Sequence, residues 1–135
     1  MSAIRFAGYA ALFGLRDGGR DTIARGAFAR TLAELRAPLP LYWQHRPEQR
    51  IGWVDHAAED DRGLRIVARI DRPESRAARF LAGRAVNGLS FGYRARRAEH
   101  SPQGRLLLDV DLFEISLVTR PMQHLARIHL LTRAA

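Results

Sequence analysis

The stretch GLRIVARI, residues 63–70, decides the class of fold. Apolar side chains stand at every second position from Leu64 to Ile70, with two arginines and a valine between them. Because the side chains of a β-strand point alternately to its two faces, this period of two predicts a strand with one covered face. Residues 60–63 form a turn signal, so the apolar run at residues 51–57 is predicted to be a strand that folds back on this one.

Further strands are predicted on both sides of this hairpin. They cover residues 4–13, 41–45, 89–95 and 128–131, with one or two more within residues 106–118. Pro47 is expected to break the strand at residues 41–45, because proline lacks the N–H group that a sheet needs. Residues 101–104, SPQG, are predicted to form a turn.

Two helices are predicted between the strands. Phe28, Leu32 and Leu35 stand at helical spacing within residues 24–35. Pro73 suits the first turn of a second helix over residues 73–81. The whole chain, residues 1–135, is therefore expected to be one domain, mainly β with peripheral helices, in a barrel or sandwich of about six or seven strands.

The composition narrows the possible chemistry. The chain has 135 residues, 47% of them hydrophobic, and no cysteine. Disulfides, a thiol nucleophile and a cysteine-based zinc site are therefore excluded, and neither a cofactor nor a metal is expected. The first residues do not resemble a secretory signal, and no run of about 18 apolar residues predicts a membrane span. We therefore expect a cytoplasmic protein with no membrane partner.

The charge is strongly positive but dispersed. All 22 basic residues are arginine, and the formal net charge is +8. Such a surface suits nucleic acid or an acidic protein, yet only residues 94–97 form a cluster. Arginine in place of lysine is also what a GC-rich genome produces. Nucleic acid is thus not the expected partner, although a basic nucleic-acid-binding β-barrel remains an alternative.

A serine between two glycines raises the question of catalysis. Residues 87–93 read NGLSFGY, so Ser90 lies in the G-x-S-x-G pattern of the hydrolase nucleophile elbow. That elbow needs a helix directly after the serine, and Gly92 and Tyr93 are poor helix starters. In that fold the base would be His124 or His129. The pattern therefore favours a serine within a strand, with glycines that allow close backbone approach.

A serine nucleophile needs a histidine as its base and an acceptor that orients the histidine. The chain offers five histidines, at positions 45, 56, 100, 124 and 129. His45 is predicted at a strand end, where a loop can expose an imidazole to a cleft. The residues by themselves leave the choice among the five open.

The order of six segments resembles the prohead proteases of tailed phages, which are related to herpesvirus assemblin. The segments are FAGYAALFG (6–14), RGAFARTL (25–32), LPLYWQHRPEQRIGWV (39–54), DDRGLRIVARI (60–70), VNGLSFGY (86–93) and DLFEISLVTRP (111–121). They are similar to the first strand of that family, its G-A-F helix, its W-x-H segment, a turn and strand, its serine segment and its E-[IV]-S-L-V strand.

The resemblance implies a catalytic triad. Ser90 resembles the family's nucleophile and His45 its general base. Phage members carry an acid in the E-[IV]-S-L-V strand, which here is Glu114, whereas assemblin uses a second histidine. Asp109 and Asp111 are neighbours that could take the place of Glu114.

Two further residues are implied to have supporting roles. Ser116 is expected on the same strand face as Glu114 and could hydrogen-bond in support of the triad. Arg120, by loose analogy with the oxyanion arginines of assemblin, is a candidate for the oxyanion site. Tyr93 could line the cleft or pack, while Trp43 and Trp53 are expected in the core.

The resemblance also implies a biological role. Such enzymes are serine endopeptidases that cleave the scaffold and the N-terminal segment of the major capsid protein, and often themselves. They act inside the assembling procapsid, in the host cytoplasm, and a prophage or a gene transfer agent would use the same enzyme. The implied fold is a closed antiparallel β-barrel like that of the herpesvirus proteases, which form homodimers. A non-catalytic capsid-assembly protein is the other alternative.

Overall fold

The computed structural model describes residues 4–133, which form eight strands and two short helices. The elements are β1 (Ile4–Leu12), β2 (Asp21–Ile23), α1 (Ala29–Ala33), β3 (Leu39–Trp43), β4 (Arg46–Glu59), β5 (Gly63–Ile70), α2 (Arg76–Ala82), β6 (Gly88–Ser101), β7 (Gly104–Val118) and β8 (Ile128–Arg133). The prediction of a mainly β fold with few helices is confirmed. The three-residue strand β2 was not predicted, because it is too short to show alternation.

All eight strands belong to one sheet, in which β7 pairs with three other strands. Strand β6 pairs with β7 along almost its whole length, antiparallel, from Gly88 opposite Val118 to Ser101 opposite Gly104. On the other edge of β7, strands β2 and β3 pair with it in parallel, one after the other along its length. From β3 the sheet continues through β4, β5 and β1 to β8 by antiparallel pairs. Strand β7 thus connects the elements from which the candidate site is built.

The prediction of a closed antiparallel barrel is wrong in two respects. The pairs of β7 with β2 and β3 are parallel, and the sheet is open between β6 and β8. Within residues 4–133, this gap is bridged by the chain that follows β7 rather than by a strand ladder. Gly88 forms an isolated bridge with Arg127, and the Leu89 N–H donates to the carbonyl of Ala126 at 2.8 Å.

Several element boundaries differ from the prediction. The first helix covers only Ala29–Ala33, since the residues before it form turns. The second begins at Arg76 rather than Pro73, because the Ser75 side chain caps it by accepting from the Ala78 N–H. Pro47 does not end a strand but lies in β4, in an exposed stretch where pairing with β3 is irregular. Neither helix within residues 4–133 combines the length and apolarity needed to cross a membrane.

The core lies on one face of the sheet and is mostly aliphatic, with Phe6 and Phe28 as its fully buried aromatic residues. The alternating residues of β5 predicted to be covered are all fully buried, and α2 contributes Ala78 and Leu81. Burial of a leucine or isoleucine side chain contributes about 1.5–3 kcal/mol, so this face accounts for much of the fold's stability. The polar residues of the candidate site lie on the other face of strands β6 and β7.

Candidate active site

A bulge in β7 turns Glu114 away from the core. Gly92 of β6 is paired with Glu114, but the next residue, Tyr93, is paired with Leu112. Phe113 is thus the extra residue of the bulge, and it is 54% exposed. Leu112 belongs to the core, so a regular strand would direct Glu114, two positions later, to the core as well. The bulge reverses this alternation, as bulges beside functional sites often do.

Ser90 lies beside this acid, within strand β6. It is the third residue of the strand, which continues without interruption to Ser101. The helix that a hydrolase nucleophile elbow requires is therefore not there, and the elbow interpretation of G-x-S-x-G is excluded. Ser90 is directly paired with Ser116 of β7, so the two side chains share a face and are neighbours.

His45 lies in a tight turn between β3 and β4. Trp43 and Arg46 are paired across it, which leaves Gln44 and His45 as a two-residue loop. Both have positive φ, +52° and +61°, as a type I′ hairpin turn requires. Such turns favour asparagine and glycine, and other residues are strained there, so the sequence carried no signal for this turn.

The imidazole of His45 contacts the buried carboxylate of Glu114. His45 Nδ1 lies 2.6 Å from Glu114 Oε1, and their side chains are 42% and 9% exposed. A carboxylate can only accept, so Nδ1 carries the shared proton and Nε2 is left as the acceptor in the neutral ring. A carboxylate in this position fixes the tautomer of a histidine and stabilises its protonated form.

Ser116 completes the hydrogen bonding of this pair. Its hydroxyl donates to Glu114 Oε2 and accepts from the backbone N–H of His45 at 3.1 Å. The side chain is fully buried. Both oxygens of the Glu114 carboxylate therefore have a partner, which offsets the free-energy cost of burying it.

Gly88 and Gly92, on either side of Ser90, each lack space for a side chain, for different reasons. A Cβ at Gly92 would lie 2.2 Å from Glu114 Oε1, so only glycine leaves room for the carboxylate. A Cβ at Gly88 would lie 2.7 Å from the carbonyl oxygen of Val118 and 2.8 Å from Cδ of Pro121. The pattern that imitates a nucleophile elbow instead marks two close approaches on the strand that carries Ser90.

The structure brings Ser90 into this cluster without a hydrogen bond to the imidazole. Within residues 4–133, the Ser90 hydroxyl has no hydrogen bond to His45; the link between them runs through Ser116, which is paired with Ser90 and bonded to the His45 N–H. In free enzymes the contact between nucleophile and base is often long and shortens when substrate binds. The arrangement thus combines a strand serine with a carboxylate-bound imidazole, which are the groups that nucleophilic attack requires.

The acidic neighbours of Glu114 have other partners. Asp109 and Asp111 form ion pairs with Arg30 of α1, at 3.1 and 2.8 Å. The hydrogen bond from Arg30 is the main cause that lowers the pKa of Asp111, with a further contribution from Arg94. Neither aspartate contacts His45, so Glu114 is the carboxylate that the fold brings to the imidazole.

The remaining four histidines have no hydrogen bond to Ser90 within residues 4–133. His124 is exposed and interacts with Arg127 through its carbonyl and ring, while His129 packs edge-on against Tyr9 with ring centroids 5.8 Å apart. His56 and His100 are exposed on β4 and β6.

The other residues considered from the sequence are three aromatic residues and one arginine. Tyr93 is half-buried against the core, where desolvation and a hydrogen bond to Asp21 raise its pKa to about 12. Trp43 stacks on Phe80 of α2, and Trp53 lies under the guanidinium of Arg50. Arg120 is exposed two residues after the end of β7.

The sequence of the chain matches a known protein family. The family described as Caudovirus prohead serine protease matches residues 1–135. A curated relative is the capsid polyprotein of Pseudomonas phage PAJU2, which is 29% identical over 100 residues. That match covers 66% of this chain but only 15% of the polyprotein.

Solved structures of herpesvirus proteases share the fold. A protease of Kaposi's sarcoma-associated herpesvirus, bound to a hexapeptide phosphonate inhibitor, aligns with a TM-score of 0.66 at 14% identity. The alignment covers 96% of this chain and 65% of that one. The protease of varicella-zoster virus aligns with a TM-score of 0.63 at 17% identity, over 98% and 64% of the two chains. The chain thus spans somewhat less than two thirds of the length of these two proteases.

Proposed function

Because the chain belongs to the family of Caudovirus prohead serine proteases, we propose that it is a serine endopeptidase of capsid maturation. Ser90 is the nucleophile, His45 the general base and Glu114 the residue that orients the base. The observation that carries this assignment is the 2.6 Å contact between His45 Nδ1 and Glu114 Oε1, beside the strand position of Ser90. The contact leaves the second ring nitrogen available for the serine proton.

The chemistry follows from these roles. Ser90 Oγ attacks the carbonyl carbon of the scissile peptide bond while His45 Nε2 takes the hydroxyl proton. Glu114 stabilises the resulting imidazolium, which then protonates the departing amine. The acyl-enzyme is hydrolysed by a water that passes its proton to His45. Arg120, on the loop after β7, is the proposed oxyanion donor, and one such donor contributes about 3–4 kcal/mol in a well-studied protease.

The proposed substrates are the scaffold and the N-terminal segment of the major capsid protein, with self-processing. The name of one relative, the capsid polyprotein of a Pseudomonas phage, supports this choice. The enzyme is proposed to act as a homodimer inside the procapsid, within the host cytoplasm, for a phage, prophage or gene transfer agent. A structure of the Kaposi's sarcoma-associated herpesvirus protease with a dimer disruptor supports the dimer.

The first test of the nucleophile needs no knowledge of the substrate. A fluorophosphonate probe forms a covalent bond with an activated serine, and mass spectrometry locates the modified residue. We expect labelling of Ser90, abolished in Ser90→Ala and strongly reduced in His45→Ala and Glu114→Gln. The matched control is His124→Ala, which should label at the wild-type rate. Labelling that persists in Ser90→Ala would refute the assignment of the nucleophile.

The second test addresses the substrate. The chain is co-expressed with the major capsid protein proposed as its substrate, and the capsid protein is examined by gel and by N-terminal sequencing. Cleavage by wild type but not by Ser90→Ala supports the proposal. Unchanged capsid protein with both, together with no labelling, would favour the non-catalytic assembly protein. Nucleic-acid binding with a steep fall in affinity on adding salt would favour the basic-barrel alternative.

A further inference from the structure

We propose that Ser116 is a positioning residue whose hydroxyl sets the orientation of the His45 imidazole. This inference rests on the proposed function and extends it to a residue that does not itself meet the substrate. Ser116 is fully buried beneath the turn that carries His45, on the strand next to Ser90. It therefore acts through its hydrogen bonds, and these involve both His45 and Glu114.

The three residues form a closed ring of hydrogen bonds. The His45 backbone N–H donates to Ser116 Oγ at 3.1 Å, the Ser116 hydroxyl donates to Glu114 Oε2, and Glu114 Oε1 receives His45 Nδ1–H at 2.6 Å. His45 is thus held at two points, its backbone nitrogen and its ring. Two attachment points on one residue restrict rotation about both bonds of its side chain, so Nε2 is directed away from Glu114.

The ring also supports a strained backbone. Gln44 and His45 both adopt the left-handed region, which disfavours residues other than glycine and asparagine. Such a conformation persists where surrounding contacts enforce it. The Gln44 N–H donates to the carbonyl of Leu117 at 3.0 Å, and Ser116 holds the next N–H. Two consecutive residues of β7 therefore fix two consecutive N–H groups of the turn.

A serine at position 116 is suited to this task. Its hydroxyl provides one donor and can accept at the same time, as the ring requires. Alanine would leave the His45 N–H and one oxygen of the Glu114 carboxylate without their partner. The carboxylate could then rotate, and the imidazole would lose its fixed direction although every proposed catalytic residue remained.

Two variants test the proposal against wild type. Ser116→Ala removes the hydroxyl, and Ser116→Cys nearly keeps the volume while offering only a weak donor. Ser101→Ala is the matched control, because that serine is exposed at the far end of β6. The first measurement is the rate of fluorophosphonate labelling of Ser90. We expect a fall of about 10- to 100-fold in both Ser116 variants, as for a catalytic group displaced by about 1 Å, and none in the control.

The second measurement separates positioning from catalysis. In a Ser90→Ala background, proton NMR follows the Nδ1–H of His45, whose short bond to a carboxylate shifts its resonance downfield. We expect this resonance to broaden or move when Ser116 is also replaced, with the backbone spectrum otherwise retained. An unchanged resonance together with wild-type labelling in both variants would overturn the inference. A wild-type protein that fails to label would instead refute the proposed function, while the NMR result would still decide the role of Ser116.

Discussion

Replacing Gly92 with alanine should disable the proposed site while leaving the fold intact. The added Cβ would lie 2.2 Å from Glu114 Oε1 and 2.8 Å from Cγ and Cδ of the same side chain. An ordinary contact between carbon and oxygen is no closer than about 3.3 Å, so the oxygen has to move by about 1 Å. Its partner oxygen is already bonded to Ser116, which leaves the carboxylate little freedom to turn.

The consequence for His45 follows from the same distances. Glu114 Oε1 accepts from His45 Nδ1 at 2.6 Å. A shift of about 1 Å is enough to bring the separation to roughly 3.6 Å, beyond the range of a hydrogen bond. Misplacement of a catalytic group by about 1 Å can reduce the rate by about 100-fold. We therefore expect Gly92→Ala to label with fluorophosphonate about 100-fold more slowly than wild type.

The assay compares labelling with thermal unfolding of the same preparations. Gly92 does not adopt a positive φ, so alanine fits its backbone, and a melting temperature close to that of wild type is expected. Gly18→Ala is the control for a glycine change as such, because a Cβ there would meet its nearest atom at an ordinary 3.6 Å. If Gly92→Ala were folded and labelled as fast as wild type, the argument that the Glu114 carboxylate must occupy this space would be wrong.

Two further predictions concern stability. Asp21→Asn should lower the free energy of unfolding by about 2 kcal/mol at pH 7, the size expected for loss of a hydrogen bond to a charged group. The hydrogen bond from Arg105 lowers the pKa of Asp21 below its usual 3.8, because it stabilises the ionised carboxylate in the folded state. The ionised Asp21 carboxylate stabilises the fold above pH 3.8, and this contribution is lost as the pH falls through the lowered pKa of the folded state. Chemical denaturation at pH 7 and below pH 3 should therefore show that the difference in stability between wild type and variant shrinks in acid. A difference that stays constant would contradict the prediction. Gln123→Ala should lower the free energy of unfolding by about 3 kcal/mol, because two buried backbone groups lose a partner. The Gln123 side-chain amide accepts from the Leu12 N–H at 2.6 Å and donates to the Leu12 carbonyl at 2.8 Å. These bonds anchor the chain that bridges the open sheet. Urea denaturation measures this effect, and a change below about 0.5 kcal/mol, typical of a surface substitution, would show that the anchor is dispensable.

Much of the fold was predictable because its signals are local. The alternation in residues 63–70 identified β5, and all of its predicted inward residues are buried. Both helices were located, but the first was predicted too long. The helical spacing of Phe28, Leu32 and Leu35 extends on both sides beyond the helix, into residues that form turns and loop. Pro47 was judged by its missing N–H alone, although an irregular, exposed part of β4 does not need that group.

The order of motifs leads to Ser90, His45 and Glu114 as the proposed site residues, but it does not give their arrangement. The choice among five histidines rests on resemblance rather than on spacing. The contact between His45 and Glu114 joins positions 69 residues apart. It requires the parallel pairing of β3 with β7, which no local pattern encodes.

The amino-acid sequence by itself determined where all the strands except the short β2 lie, which faces of them are apolar, and which residues are candidates for nucleophile, base and acid. The tertiary structure alone decided that the sheet stays open, that a bulge at Phe113 turns Glu114 out of the core, and that Gln44 and His45 accept a left-handed turn. The reason is physical: alternation and turn propensity act between neighbours in the chain. Register, bulges and strained turns are instead settled by the total free energy of contacts between distant segments.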